Sequence, residues 1–192
     1  MERILEIVKV HGITYEPLKE DQEGIIATRL SRVYPASQER LYEMIADLED
    51  HSRLFSHCKS ALVVDKTGLE KVIDENQFIV VSDVAEGGSR LAISRYTLQR
   101  PHRIDEDLMT DPWPATGVED RKDGRISWIF EAEGDDRCRM TCESEFEIDT
   151  GVVFVRGLID HVWLDFFENV MVELGELSRS EKLTLPPEEG AK

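Results

Sequence analysis

Arg95, Tyr96 and Glu106 are the residues whose types and spacing most readily suggest chemistry. They lie on two segments of alternating polarity separated by Arg100-Pro101-His102. If Leu91 and Ile93 face the interior, strict alternation carries Arg95 inward, and Ile104 and Leu108 carry Glu106 inward in the same way. A connection of even length centred on Arg100-Pro101 would set Arg95 directly opposite Glu106. Such a buried guanidinium–carboxylate pair could hold a carbonyl or phenolate, and leaving either charge unpaired would be costly. The other register puts Tyr96 and Leu98 inside and both charges in water.

Other reactive side chains offer less. His51, His57 and Cys58 lie near Asp47 and Asp50, but their spacing matches no common zinc pattern, so no metal is expected. Cys58, Cys138 and Cys142 are an odd count. Cys138 and Cys142 would share a strand face about 13 Å apart at ~3.3 Å per residue, too far for a disulfide. Glu86-Gly87-Gly88 lacks the spaced glycines of a phosphate-binding loop and reads as a turn. No serine or cysteine has an identifiable base partner, and no motif calls for a cofactor.

Lysine and arginine number 23 against 40 aspartates and glutamates, a formal charge of -17. That charge repels nucleic acid and anionic membranes and otherwise serves solubility. With 192 residues, 41% of them hydrophobic, the chain suits one domain burying about 70% of its unfolded surface. No basic-then-apolar leader follows Met1, and no apolar run approaches the ~20 residues needed to cross a bilayer. A reducing cytoplasm and no stable membrane insertion are the expectation, with a homodimer left open.

The elements that must position these residues follow from periodicity. Residues 1–24 form an extension read as a strand pair, Arg3 to Val10 and Ile13 to Tyr15, although Ile4, Ile7 and Val8 also fit helical spacing. Ile26 to Tyr34 alternates and stops at Pro35. Ser37 caps a helix carrying Leu41, Met44, Ile45 and Leu48, and Asp50 to His57 makes a second short helix. Strands are expected at about 61–66, 70–84, 89–99, 103–110, 125–133 and 137–149, joined by short, antiparallel connections. Asp111 to Gly124 is the longest irregular connection, with Trp113 as a candidate rim residue. A long helix, about Val152 to Lys182, carries a broad apolar stripe opposite Asp160, His161, Asp165, Glu168, Glu173 and Glu176. The domain spans 25–182, and the end of the chain (183–192) frays.

The segment Leu41 to Phe55, with its Asp47-Leu48 pair, resembles the START/SRPBCC superfamily in its polyketide cyclase/dehydrase and coenzyme-Q-binding branches. The Trp128-Ile129-Phe130 strand, the Phe146 strand and the terminal helix fall where that family's last elements fall. The resemblance covers about residues 25–180. It implies an α+β helix-grip fold: a bent antiparallel sheet of six to seven strands around a long C-terminal helix, with two short helices after the first strand. It also implies a cavity for a lipid, quinone or polyketide-like molecule, and a pocket arginine to which Arg95 corresponds across a one-residue gap.

Phe78, Val80, Trp128, Phe130, Met140, Cys142 and Phe146 from the sheet, with Val162, Phe166 and Val170 from the helix, would line that cavity. The alternative is that they pack as a solid core. Three functions follow: a carrier or sensor of an apolar small molecule; a cyclase or dehydratase using Arg95, Glu106 or Tyr96 for proton transfer; or a protein-interaction domain without a ligand.

Overall fold

The computed structural model describes residues 2–19, 25–64, 74–84, 90–109, 122–147 and 152–184. The fold is α+β: eight antiparallel strands form one sheet against which a C-terminal helix lies. In chain order the elements are α1 (Glu2–Val10), β1 (Thr14–Lys19), β2 (Ile25–Tyr34), α2 (Gln38–Ala46), a 3₁₀ turn (Leu48–Arg53), β3 (Cys58–Val63), β4 (Gln77–Val84), β5 (Arg90–Gln99), β6 (Arg103–Met109), β7 (Lys122–Ala132), β8 (Cys138–Glu147) and α3 (Val152–Glu173). The strands run in the order β1-β2-β8-β7-β6-β5-β4-β3. Eight strands replace the expected six to seven, because β1 adds an outer edge beside β2.

The N-terminus is a correction. Arg3 to Val10 was expected as a strand on its β-branched content, but the segment is helical. Ile7 is buried, and Ile4 and Val8 pack against the same core. The i, i+3, i+4 spacing therefore outweighs propensity, since one helical face can reach α3. Gly12, at φ +62°, reverses the chain into β1.

Ser37 caps α2 as expected, accepting from the Arg40 N–H at 3.3 Å. The last helix is shorter than its apolar stripe suggested. It ends at Glu173, with Gly175 at φ +75°. Gly175 N–H donates to Val172 O at 3.0 Å and Glu176 N–H to Met171 O at 2.9 Å. That pair of bonds is a Schellman cap, which terminates the helix ahead of the expected Lys182. The chain then makes a 3₁₀ turn (Arg179–Glu181) and returns across α3. Leu183 and Thr184 are consequently anchored, where fraying was expected.

The core lies between the inner sheet face and α3, with α2 and the Leu54–Phe55 segment closing it. Phe166, Phe167, Trp128 and Phe130 are fully or almost fully buried. Each such side chain contributes roughly 1.5–3 kcal/mol of transfer free energy.

Candidate functional site

The strand register fixes what faces the interior. One row across the inner face runs Thr28, Ser144, Ile126, Glu106, Tyr96 and Phe78. The neighbouring rows carry Leu30, Cys142, Trp128, Ile104 and Leu98 on one side, and Ile26, Phe146, Gly124, Leu108, Ser94 and Val80 on the other. Glu106 thus faces Tyr96 across β5 and β6. Arg95 lies opposite Asp107 on the outer face, with Nη2 3.6 Å from the carboxylate.

The expected Arg95–Glu106 pair is therefore overturned. The turn between β5 and β6 holds three residues, Arg100 to His102, because Gln99 pairs with Arg103. An odd loop shifts the register by one, which sends Arg95 to the opposite face from Glu106. Each of the two alternative readings was half right: Tyr96 and Leu98 are inside, but so is Glu106.

Glu106 is a buried carboxyl in an aromatic setting. Ser94 Oγ donates to its Oε1 at 2.6 Å, and the Tyr96 side chain also hydrogen-bonds it. Burial nevertheless pushes the carboxyl up to about 7, outweighing the hydrogen bonds that favour the charged form. The Tyr96 phenol is pushed well above its ordinary value by burial and by Glu106, and the Cys142 thiol likewise. The Tyr96 ring stacks on Trp128 with centroids 6.3 Å apart and planes 11° apart. Trp128 is fully buried, and its indole Nε1–H has no hydrogen-bond partner.

His51 closes one side of this cluster. Its Nε2 sits 2.9 Å from Ile45 O, so that nitrogen carries the proton and Nδ1 is left as an acceptor, 3.5 Å from the Tyr96 hydroxyl. Burial lowers its pKa, holding the ring neutral. Phe55 stacks on Phe166 at 4.7 Å and lies 6.3 Å from Trp128.

All ten residues expected to line a cavity come together. Val80, Trp128, Phe130, Met140, Cys142, Phe166 and Val170 are buried in one cluster, with Phe78, Phe146 and Val162 packed against it. Trp128 and Phe166 face each other across the sheet–helix interface at 6.2 Å. Trp113 lies outside the described residues. Ser94, His51 and Phe55 join the site without having been singled out for it. The signal for Ser94 was its place two residues before Tyr96, on the same strand face. Among the described residues, no group of His, Cys, Asp and Glu is placed to hold a metal ion, and no helix is long and apolar enough to cross a membrane.

A second buried polar cluster lies on the far side of α3, where exposed carboxylates were expected. Glu168 is fully buried and accepts from Leu183 N–H at 2.7 Å, Thr184 N–H at 3.0 Å and the Thr184 hydroxyl. His11 Nε2 lies 2.8 Å from the same carboxylate. Lys182 Nζ donates to Asp165 at 2.5 Å and to Asn169 at 2.7 Å, while Asn169 donates to Leu54 O at 2.8 Å. Burial raises the Asp165 carboxyl, but Lys182 and Ser56 outweigh it and hold the group below its ordinary value. This clasp ties His11, the Lys182–Thr184 segment and the Leu54–Ser56 segment to α3.

Residues 34–163, more than half of the chain, match the model of the family described as polyketide cyclase / dehydrase and lipid transport. No curated protein matches the sequence. Solved structures of the same fold include a START superfamily protein from Mycobacterium smegmatis, 13% identical, with 81% of this chain and 99% of that one covered at a TM-score of 0.60. The Zhui aromatase/cyclase from a Streptomyces species is 11% identical over 78% of this chain and 96% of its own, at 0.54. A conserved protein from Geobacillus kaustophilus is 16% identical over 79% and 96%, at 0.59. At these identities the likeness is one of fold. Together with the family match, it places the chain in the polyketide cyclase/dehydrase and lipid transport family, on the START-type helix-grip fold.

Proposed function

We propose that this protein binds an apolar small molecule between the inner sheet face and α3, as a carrier or sensor. The observation that carries the reading is the fully buried Trp128 indole N–H without a partner, two strand positions from a carboxyl that burial pushes up to about 7. A buried donor left unsatisfied costs about 1–3 kcal/mol, and a bound ligand would recover that cost. The surrounding aromatics, Met140 and Cys142 suit a flat or flexible apolar body, whose affinity would scale at ~25 cal/mol per Å² of apolar area. Family membership and the START-type fold support the same reading. Native mass spectrometry of freshly purified protein tests it. A non-covalent mass increment lost on organic extraction is expected. Protein that carries no such mass, and takes up no apolar compound afterwards, would contradict it.

One observation favours a second reading, a cyclase or dehydratase working in the same place. A buried carboxyl near 7 is poised for general acid or base work at neutral pH. Here Glu106, hydrogen-bonded by Ser94 and Tyr96, carries the proton-transfer role for which Arg95, Glu106 and Tyr96 were the candidates. Under this reading Glu106→Gln abolishes turnover of a poly-β-keto substrate while Arg95→Ala leaves it intact. The opposite pattern would remove it.

A further inference from the structure

The inner-face rows around Glu106 carry an unusual set of polar atoms for a buried surface. They contain no lysine or arginine among the described residues. Glu106 and Trp128 are diagonal neighbours, on β6 and β7, since Glu106 pairs with Ile126 and Ile104 with Trp128. Diagonal neighbours on one sheet face stand roughly 7–8 Å apart at Cα, close enough for one small head group to reach both side chains. The Tyr96 ring, stacked on Trp128 and hydrogen-bonded to Glu106, walls one side.

We propose that this corner is a head-group subsite selective for a neutral hydrogen-bond acceptor, such as a ketone, quinone or ester carbonyl on an apolar body, and that it rejects carboxylate heads. The proposal rests on the apolar-ligand reading above and adds the class of head group. Three features of the corner carry it. The orphan Trp128 N–H can only donate, so its partner must have a lone pair, which excludes ammonium and plain hydrocarbon heads as its complement. Ser94 and Tyr96 already supply hydrogen bonds to the Glu106 carboxyl, so the protonated acid has its own O–H left to give. A carbonyl oxygen, with two lone pairs, can accept from both. An anionic head would instead give up its hydration in a dry site, with no cation among the described residues of these rows to compensate it.

A matched series tests this on the intact protein: 2-acetonaphthone, 2-ethylnaphthalene and 2-naphthoate share one apolar body and differ in the head. Calorimetry or tryptophan quenching at pH 6 should give the ketone about ten-fold tighter binding than the ethyl compound, the worth of one or two buried hydrogen bonds. 2-Naphthoate should bind more weakly than either. Trp128→Phe keeps the ring and removes the donor. In that variant the ketone's advantage over 2-ethylnaphthalene should shrink to about two-fold or less. Equal binding of ketone and ethyl compound in the native protein overturns the subsite and leaves the apolar-ligand reading intact. Tightest binding of 2-naphthoate does the same. Failure of all three to bind overturns both.

Discussion

The two faces of α3 meet buried polar groups in opposite ways. On the outer side, the Glu168 carboxylate accepts from two backbone N–H groups and a hydroxyl and sits against His11, while Lys182 bridges Asp165 and Asn169. Every polar atom named there has a partner within the chain. On the inner side, a carboxyl rises to about 7 and a tryptophan N–H meets nothing. A saturated buried network holds a fold together, whereas an unsaturated one keeps hydrogen-bonding capacity for something else. By that criterion the clasp is structural, and the inner corner is where the proposed ligand would be held.

The contrast can be broken at its strongest point first. Glu168→Ala strands His11 and two backbone N–H groups, and should cost about 3–5 kcal/mol in chemical denaturation. A loss below about 1 kcal/mol would show that the clasp is ornamental. The two regions should also respond to pH in opposite directions. Glu106 has a folded value near 7, above its ordinary value. Its contribution is fully present below about pH 4.5 and is lost as pH rises through about 7, on the order of 3 kcal/mol. Glu106→Gln should flatten that decline between pH 5 and 8; an unchanged slope would assign it to other groups. Asp165 is depressed, so its contribution is present above its ordinary value and disappears only in acid.

Smaller effects sharpen the picture. A Cβ on Gly124 would fall 2.5 Å from the Phe146 ring, which stacks on Trp163 at 6.4 Å. Gly124→Ala should therefore cost about 1–2 kcal/mol by overpacking, read as a lower denaturation midpoint. No loss would mean that the inner face is slack at that edge. Arg95→Ala should cost about 2–3 kcal/mol, because it takes the nearer cation from the largely buried Asp107 and leaves it the more distant Arg125. It should leave affinity for an apolar ligand untouched, and a loss of binding would return Arg95 to the site.

Much of this was legible in residue order. The Trp163, Phe166, Phe167, Val170 spacing forces a helix with a core face, and the alternation from Ile126 to Ala132 and from Cys138 to Phe146 fixes two strands. The grouping of the ten residues expected to line a cavity into one cluster followed from those patterns. The pairing of β5 with β6 did not, because Arg100-Pro101-His102 suits a loop of two residues or three, and one residue decides which face Arg95 takes. The clasp was invisible for a different reason. Asp165 and Glu168 look solvated within the helix pattern, and only His11 and the Lys182–Thr184 segment, brought back by the fold, cover them. Helix α1 was hidden by its β-branched residues, whose short stretch satisfies either period.

Trp128 and Trp163, the two indoles of the described residues, offer the most direct test. Trp163 Nε1–H already donates to Ser144 Oγ at 3.0 Å, whereas Trp128 Nε1–H donates to nothing. With ¹⁵N-labelled tryptophan, assigned through Trp128→Phe, saturation with 2-acetonaphthone should move the Trp128 indole proton strongly downfield and leave that of Trp163 nearly in place. Saturation with no movement at Trp128, or a larger movement at Trp163, would contradict the claim that the inner corner is where the ligand's head is held.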